Sequence, residues 1–134
     1  MSPEQVRLVQ SSMQKVLFIS EIAAELFYRR LFELDPTLRS LFHGDMREQG
    51  RKLIQMLHAI VDGLELPDII IPAVQEMARR HVTYGVQAQH YDTVGAALLW
   101  TLEQGLGNGF TAEVRAAWTE AYTLLAGVMQ EASA

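Results

Sequence analysis

The sequence predicts an all-α protein, on three observations. Apolar residues return every three to four positions through most of the chain, no segment shows convincing period-two alternation, and the prolines fall near segment ends. About seven helical pieces account for the pattern.

Ser2-Pro3-Glu4-Gln5 is a helix start, with a serine cap, proline in the first turn and Gln5 placed to complete a capping box. This first helix is expected to reach about Leu17. The second carries Ile19, Ile22, Ala23, Leu26, Phe27, Leu31 and Leu34 at helical spacing. Tyr28 and Phe32 widen its apolar arc, so it should be contacted on more than one side. Asp35-Pro36 ends it, because the residue before a proline is pushed out of the α region. The same pair caps a short helical turn through Leu41 and Phe42, and His43-Gly44-Asp45 reads as a corner. From about Met46 a third stripe runs Gln49, Leu53, Met56, Leu57, Ile60, Val61 and Leu64, closed by Gly63 and Pro67. The next helix is expected from about Ile71-Pro72 to Thr83, with Val74, Met77, Ala78, His81 and Val82 on one side. Gly85 lies just past its end, where a left-handed cap is common. A longer helix from about Ala88 to Leu106 carries Tyr91, Val94, Leu98, Leu99 and Leu102 before Gly105, Gly107 and Gly109 break it. Thr111 caps the last, whose stripe is Val114, Ala117, Trp118, Ala121, Leu125, Val128 and Met129.

The 134 residues fit one domain, residues 1–134, large enough to bury a continuous core. A formal charge of −5 argues against a nucleic-acid binder, which needs a basic stripe to displace counterions. There is no cysteine, hence no disulfide, no thiolate nucleophile and no covalent Cys-x-x-Cys-His haem attachment. Met1 leads straight into an acidic helix start rather than a signal peptide, and the apolar runs fall well short of the roughly 20 residues a membrane span needs. A cytoplasmic location is the expectation.

Two stripes contain a conspicuous polar residue. Gln49 leads one, and His81 sits four residues after Met77 in another. A buried imidazole needs a hydrogen-bond partner or a metal. By spacing alone, a core histidine bonded to a carbonyl is the plainer reading, and a polar residue in a helix's first turn is ordinary.

The residues in combination point further. Phe27-Tyr28-x-x-Leu31-Phe32, Asp35-Pro36, Leu41-Phe42, Gln49, Leu53, Arg79-Arg80-His81, Tyr91-x-x-Val94-Gly95 and Ala117-Trp118-x-x-Ala121-Tyr122 follow one another in this order. That set resembles the flavohaemoglobins and single-domain bacterial globins, over essentially the whole chain. The resemblance implies a globin fold, a three-over-three helical sandwich around non-covalent haem b. It makes His81 the proximal iron ligand, Phe42 the wedge against the porphyrin face, and Tyr28 with Gln49 the distal pair. Leu53 corresponds to the apolar residue over the iron and Val94 to a pocket wall. Lys52 and Arg80 become candidates for the haem propionates, and Met77 lies on the haem-facing side of His81's helix as packing rather than as a ligand. His58 is out of phase with the distal pocket, His43 stands in the corner beside Phe42, and His90 has no matching role.

The sequence also departs from the family. Flavohaemoglobins continue into flavin- and nicotinamide-binding domains that have no counterpart in these residues. In them a late glutamate joins the tyrosine matched by Tyr91 in a network around the proximal histidine. That position is Ser133 here, with Glu131 two residues early, which puts a strong electron push toward oxygen in doubt. The implied function is reversible O2 binding, with NO and CO as further ligands, in a monomer or weak homodimer. NO dioxygenation with a separate reductase is the alternative enzymatic reading, and a haem-based gas sensor ranks last.

Overall fold

In a computed structural model, residues 1–133 are described. Six α-helices follow in order: α1 (Pro3–Phe18), α2 (Ser20–Leu34), α3 (Met46–Asp62), α4 (Pro67–Thr83), α5 (His90–Leu106) and α6 (Ala112–Ala132). Tight 3-10 turns at Pro36–Leu41, Gly63–Glu65 and Gly107–Gly109 link them, and the described residues contain no strand.

The helix starts follow local chemistry. Ser2 Oγ accepts from the Gln5 N–H at 3.1 Å while Gln5 Oε1 accepts from the Ser2 N–H at 3.0 Å, a reciprocal box in which the cap alone contributes about 0.5–2 kcal/mol. Asp45 and Thr111 cap α3 and α6 one way only, their side chains accepting from the Arg47 and Val114 N–H groups. Two starts differ from the sequence reading. Helix α4 begins at Pro67 rather than near Ile71, and Pro72 lies inside it. Proline suits the first helical position, since its missing N–H would have no partner there. Pro72 then deprives only the exposed Asp68 carbonyl, which water can satisfy. Helix α5 begins at His90 rather than Ala88, because the His90 Nδ1 accepts the Gln87 N–H at 2.9 Å and ties down the turn before it. Between them Gly85 has φ +96°, a conformation that favours glycine.

Helix α1 packs on α6 and α3, α2 on α5 and α3, and α4 on α6. The layers are α1, α3 and α4 over α2, α5 and α6, a three-over-three sandwich. One core joins Val9, Met13 and Val16 to Leu57, Val61, Leu102 and Trp118. Burying a side chain of this kind contributes about 1.5–3 kcal/mol. The Trp118 indole N–H is satisfied inside that core by Ser12 Oγ at 2.8 Å. Helices α2 and α3 cross closely because Gly50 is buried at the crossing; a Cβ there would stand 2.8 Å from the Ala24 Cβ. Gly50 therefore sets the spacing between Tyr28, one turn beyond Ala24, and its neighbour in sequence Gln49.

Candidate functional site

Between the layers lies a cavity of about 680 Å³, within the range of small-molecule and cofactor sites. Its walls are mostly apolar and include no aspartate or glutamate. The charged and imidazole groups among them are Lys52, Arg80, His43, His81 and His90. All ten residues singled out from the sequence lie on this cavity: Tyr28, Phe42, Gln49, Lys52, Leu53, Met77, Arg80, His81, Tyr91 and Val94. His58 is not among the lining residues and instead sits 3.2 Å from Asp62.

Helices α2 and α3 build one wall. Tyr28 is held within a ring of aromatics: Phe27 and Phe42 meet it edge-on with centroids at 5.2 Å each, and Phe32 stacks at 6.1 Å. Phe42 in turn meets Phe32 edge-on at 5.6 Å. Such pairs add about 0.5–1.5 kcal/mol beyond burial, so the phenol ring is fixed before any ligand arrives. Its hydroxyl faces the Gln49 backbone carbonyl at 3.4 Å, well beyond the roughly 2.7–2.8 Å common for O–H donors. The contact is long and weak, which leaves the donor available. Burial pushes the Tyr28 phenol up to about 12, so it keeps its proton at physiological pH.

Helices α4, α5 and α6 build another wall, and its polar contacts are short. His81 is half-buried, and its Nδ1 lies 2.8 Å from the Met77 carbonyl oxygen. A carbonyl only accepts, so Nδ1 carries the proton and the Nε2 lone pair is left free. Tyr122 donates to the Tyr91 carbonyl at 2.6 Å. Gly95 allows this: a Cβ there would come 2.7 Å from the Tyr122 ring. Ser133 Oγ donates to the Met129 carbonyl at 2.7 Å. The Ser133 side chain also stands beside the Tyr91 hydroxyl, whose pKa burial raises and Ser133 partly lowers. A neutral serine thus stands where the family pattern has a carboxylate.

The sequence reading gave no role to His90. The structure buries it on the cavity wall, with Nδ1 accepting from the Gln87 backbone; a histidine three residues after Gln87, at the head of an apolar helix, was the available signal. Tyr122 was noted only as part of the family pattern, and nothing local marked Gly50.

Among the described residues no group of three or more His, Asp or Glu side chains could hold a bare metal ion. One imidazole with a free Nε2, in an apolar cavity that carries two cations on exposed side chains, suits instead a flat apolar macrocycle with its own metal and acidic side chains. The site and the α sandwich together define a haem-pocket protein. Residues 25–129 match the Globin family model, and the chain belongs to the globin family, whose cofactor is haem. It is 30% identical over 136 residues to a flavohemoprotein of Xylella fastidiosa, an alignment covering 99% of this chain and 34% of that protein. It is 33% identical over 132 residues to a flavohemoprotein of Bordetella parapertussis, covering 96% of this chain and 33% of that one. The chain spans about a third of the length of these relatives. A solved structure with TM-score 0.87 and 31% identity covers 98% of this chain and 92% of its own. That protein is an engineered carbene transferase from a Rhodothermus marinus protein assigned as a nitric oxide dioxygenase.

Proposed function

We propose that this globin binds O2 reversibly, with NO and CO as competing ligands, and that its residues divide the work as follows. His81 Nε2 is the proximal ligand, and the Met77 carbonyl holds the ring in the tautomer that leaves that nitrogen free. Phe42 and Leu53 pack against the macrocycle, while Lys52 and Arg80 reach its carboxylates from their exposed positions on the cavity rim. When bound, the haem supplies an iron with one position open to a diatomic gas. Tyr28 then donates a hydrogen bond to that gas, with Gln49 as a second donor from α3. A donor here favours O2, which draws negative charge, over the less polarised CO.

The observation that carries this reading is the neutral surrounding of His81. Its Nδ1 partner is a carbonyl, the side chain beside the Tyr91 hydroxyl is the neutral Ser133, and no carboxylate lines the cavity. A carboxylate partner makes a ligating imidazole more basic; without one, the proximal side favours holding oxygen over splitting it. A second reading, NO dioxygenation, is favoured by the likeness to the Rhodothermus marinus protein and to the flavohemoproteins. In it O2, NO and one electron give nitrate, with a separate reductase supplying the electron. Haem-reconstituted protein should give reversible O2 spectra on cycling between oxygen and argon. With saturating O2 and a supplied reductant, NO should be consumed stoichiometrically and re-reduction should be slow. Rapid sustained NO turnover would reverse the ranking.

A further inference from the structure

Apart from tyrosine and tryptophan, the buried polar side chains among the described residues are Ser12, His90 and Thr101. The Ser12 and Thr101 hydroxyls spend their protons on the Leu8 and Ala97 carbonyls, at 2.7 and 2.8 Å. His90 differs. Its Nδ1 accepts from the Gln87 N–H at 2.9 Å, so the neutral ring carries its proton on Nε2. That N–H bonds to no protein group among the described residues. The residue is only 8% exposed, yet Nε2 is not sealed within the protein as the Arg30 Nε is. Since the ring lies on the cavity wall, Nε2 opens onto the cavity.

A buried donor without a partner is costly, and no aspartate or glutamate lines the cavity to accept from it. The acceptor must come with the ligand. On a haem, whose edge is otherwise apolar, the peripheral carboxylates are the groups that accept. The backbone adds a second attraction. His90 is the first residue of α5, a 17-residue helix whose start has no side-chain cap, and the positive end of a helix favours a negative group.

We infer that His90 binds the haem from inside the cavity, its Nε2–H donating to one of the two carboxylates. The inference rests on the haem of the gas-binding reading, and not on which gas the iron takes. Lys52 and Arg80 meet the carboxylates in water, where screening leaves an ion pair little strength. His90 meets one where water is excluded, and a hydrogen bond to a charged group counts for more there. The buried neutral imidazole is therefore the stronger anchor and the exposed cations the weaker ones.

His90→Phe should speed haem transfer to an acceptor apoglobin about ten-fold or more, well beyond the effect of Lys52→Ala. His90→Gln keeps an amide donor and should recover most of the retention. Because His90 also braces the α5 start, the deciding comparison uses haem with both carboxylates methyl-esterified. That diester offers no charged acceptor, so the unmodified protein and His90→Phe should release it at nearly equal rates. Equal acceleration with free-acid and diester haem would reduce His90 to a brace and overturn the proposal. No acceleration with free-acid haem would overturn it as well. A measurement on the unmodified protein is independent of any effect on folding. In the ferrous CO form, proton–nitrogen NMR should show the His90 Nε2 proton protected from exchange with free-acid haem and exchanging faster with the diester. Identical exchange in the two would again overturn the anchor. Acid-specific retention in a protein that binds no O2 reversibly would keep the anchor and sink the gas-binding reading instead.

Discussion

The two walls of the cavity are stabilised by different means. The α2–α3 wall is held by shape: three aromatic rings fix Tyr28, Gly50 brings the backbones together, and the one polar contact at the tyrosine is 3.4 Å long. The α4–α6 wall is held by direction, through bonds of 2.6 to 2.8 Å from His81 to Met77, Tyr122 to Tyr91 and Ser133 to Met129. A group that must receive a ligand keeps its hydrogen bond weak and lets packing hold it still. A group that must present one lone pair in one direction has its other valence satisfied in advance. Substitutions should therefore act differently on the two sides: ligand rates should move on the packed wall, and cofactor retention or stability on the bonded wall.

The largest effect is expected at His81. His81→Ala removes the one imidazole assigned to the iron, so reconstituted protein should lose its haem or recover it with added imidazole, read from the visible spectrum. An unchanged spectrum would dispose of the assignment of the two walls.

Next comes Tyr28. Its ring is surrounded by apolar side chains on a rigid helix, whereas Gln49 has a flexible stem in the first turn of α3, where water competes. Tyr28→Phe keeps the ring and removes the donor. Hydrogen bonds to charged partners are worth about 1.5–3 kcal/mol, so O2 dissociation should accelerate about 10- to 150-fold, more than in Gln49→Leu. CO rates should move much less, and stopped-flow displacement of O2 by CO measures both. Equal O2 and CO effects would make Tyr28 a space-filler. Because burial raises the Tyr28 pKa to about 12, O2 dissociation should be flat with pH up to 10. The sign for stability follows from the same shift. The folded state holds this proton more tightly than the unfolded one, so its contribution is fully present below pH 10, the ordinary phenol value, and is lost as pH rises toward 12.

These contrasts bear on how much was readable beforehand. The helices were, because each buries one stripe and carries its own cap; the α3 start at Met46 and the Thr111 cap needed only local residues. Pro67 and Pro72 show the limit, since both can open a helix and the chain alone does not say which one does. Placing the ten candidate residues on one cavity needed the collinear family pattern, as His81 alone reads more plainly as a core histidine. The packing roles of Gly50 and Gly95 were invisible for another reason. Their contacts, Ala24 and the Tyr122 ring, lie 26 and 27 residues away in sequence, and no periodicity encodes a close approach between helices. That blindness has a measurable counterpart. Gly95→Ala should force the Tyr122 ring off the Tyr91 carbonyl and cost about 1–3 kcal/mol in urea unfolding, as overpacking does. Haem stoichiometry should be preserved. A neutral result would mean that the α5–α6 wall yields more readily than its short bonds imply.

The smallest effect belongs to the rim, where neither wall holds its side chains. Lys52 and Arg80 are exposed, and neither takes part in a salt bridge among the described residues. Their neighbours Arg51 and Arg79 are paired within their own helices, with Glu48 and Glu76. Of these four cations, the two without a partner are the ones on the cavity wall. An exposed ion pair contributes only about 0–1 kcal/mol, because water screens the charges and long side chains lose freedom on pairing. Lys52→Ala and Arg80→Ala should each speed haem transfer to an acceptor apoglobin by no more than about five-fold, with the larger share at low ionic strength. Their O2 spectra should stay nearly unchanged, since neither side chain is assigned a contact with the gas. Transfer rates that ignore both substitution and salt would return the two residues to the solvated surface. A shift in O2 dissociation with either variant would mean that the rim reaches the distal wall and that the two sides are less separate than their bonding suggests.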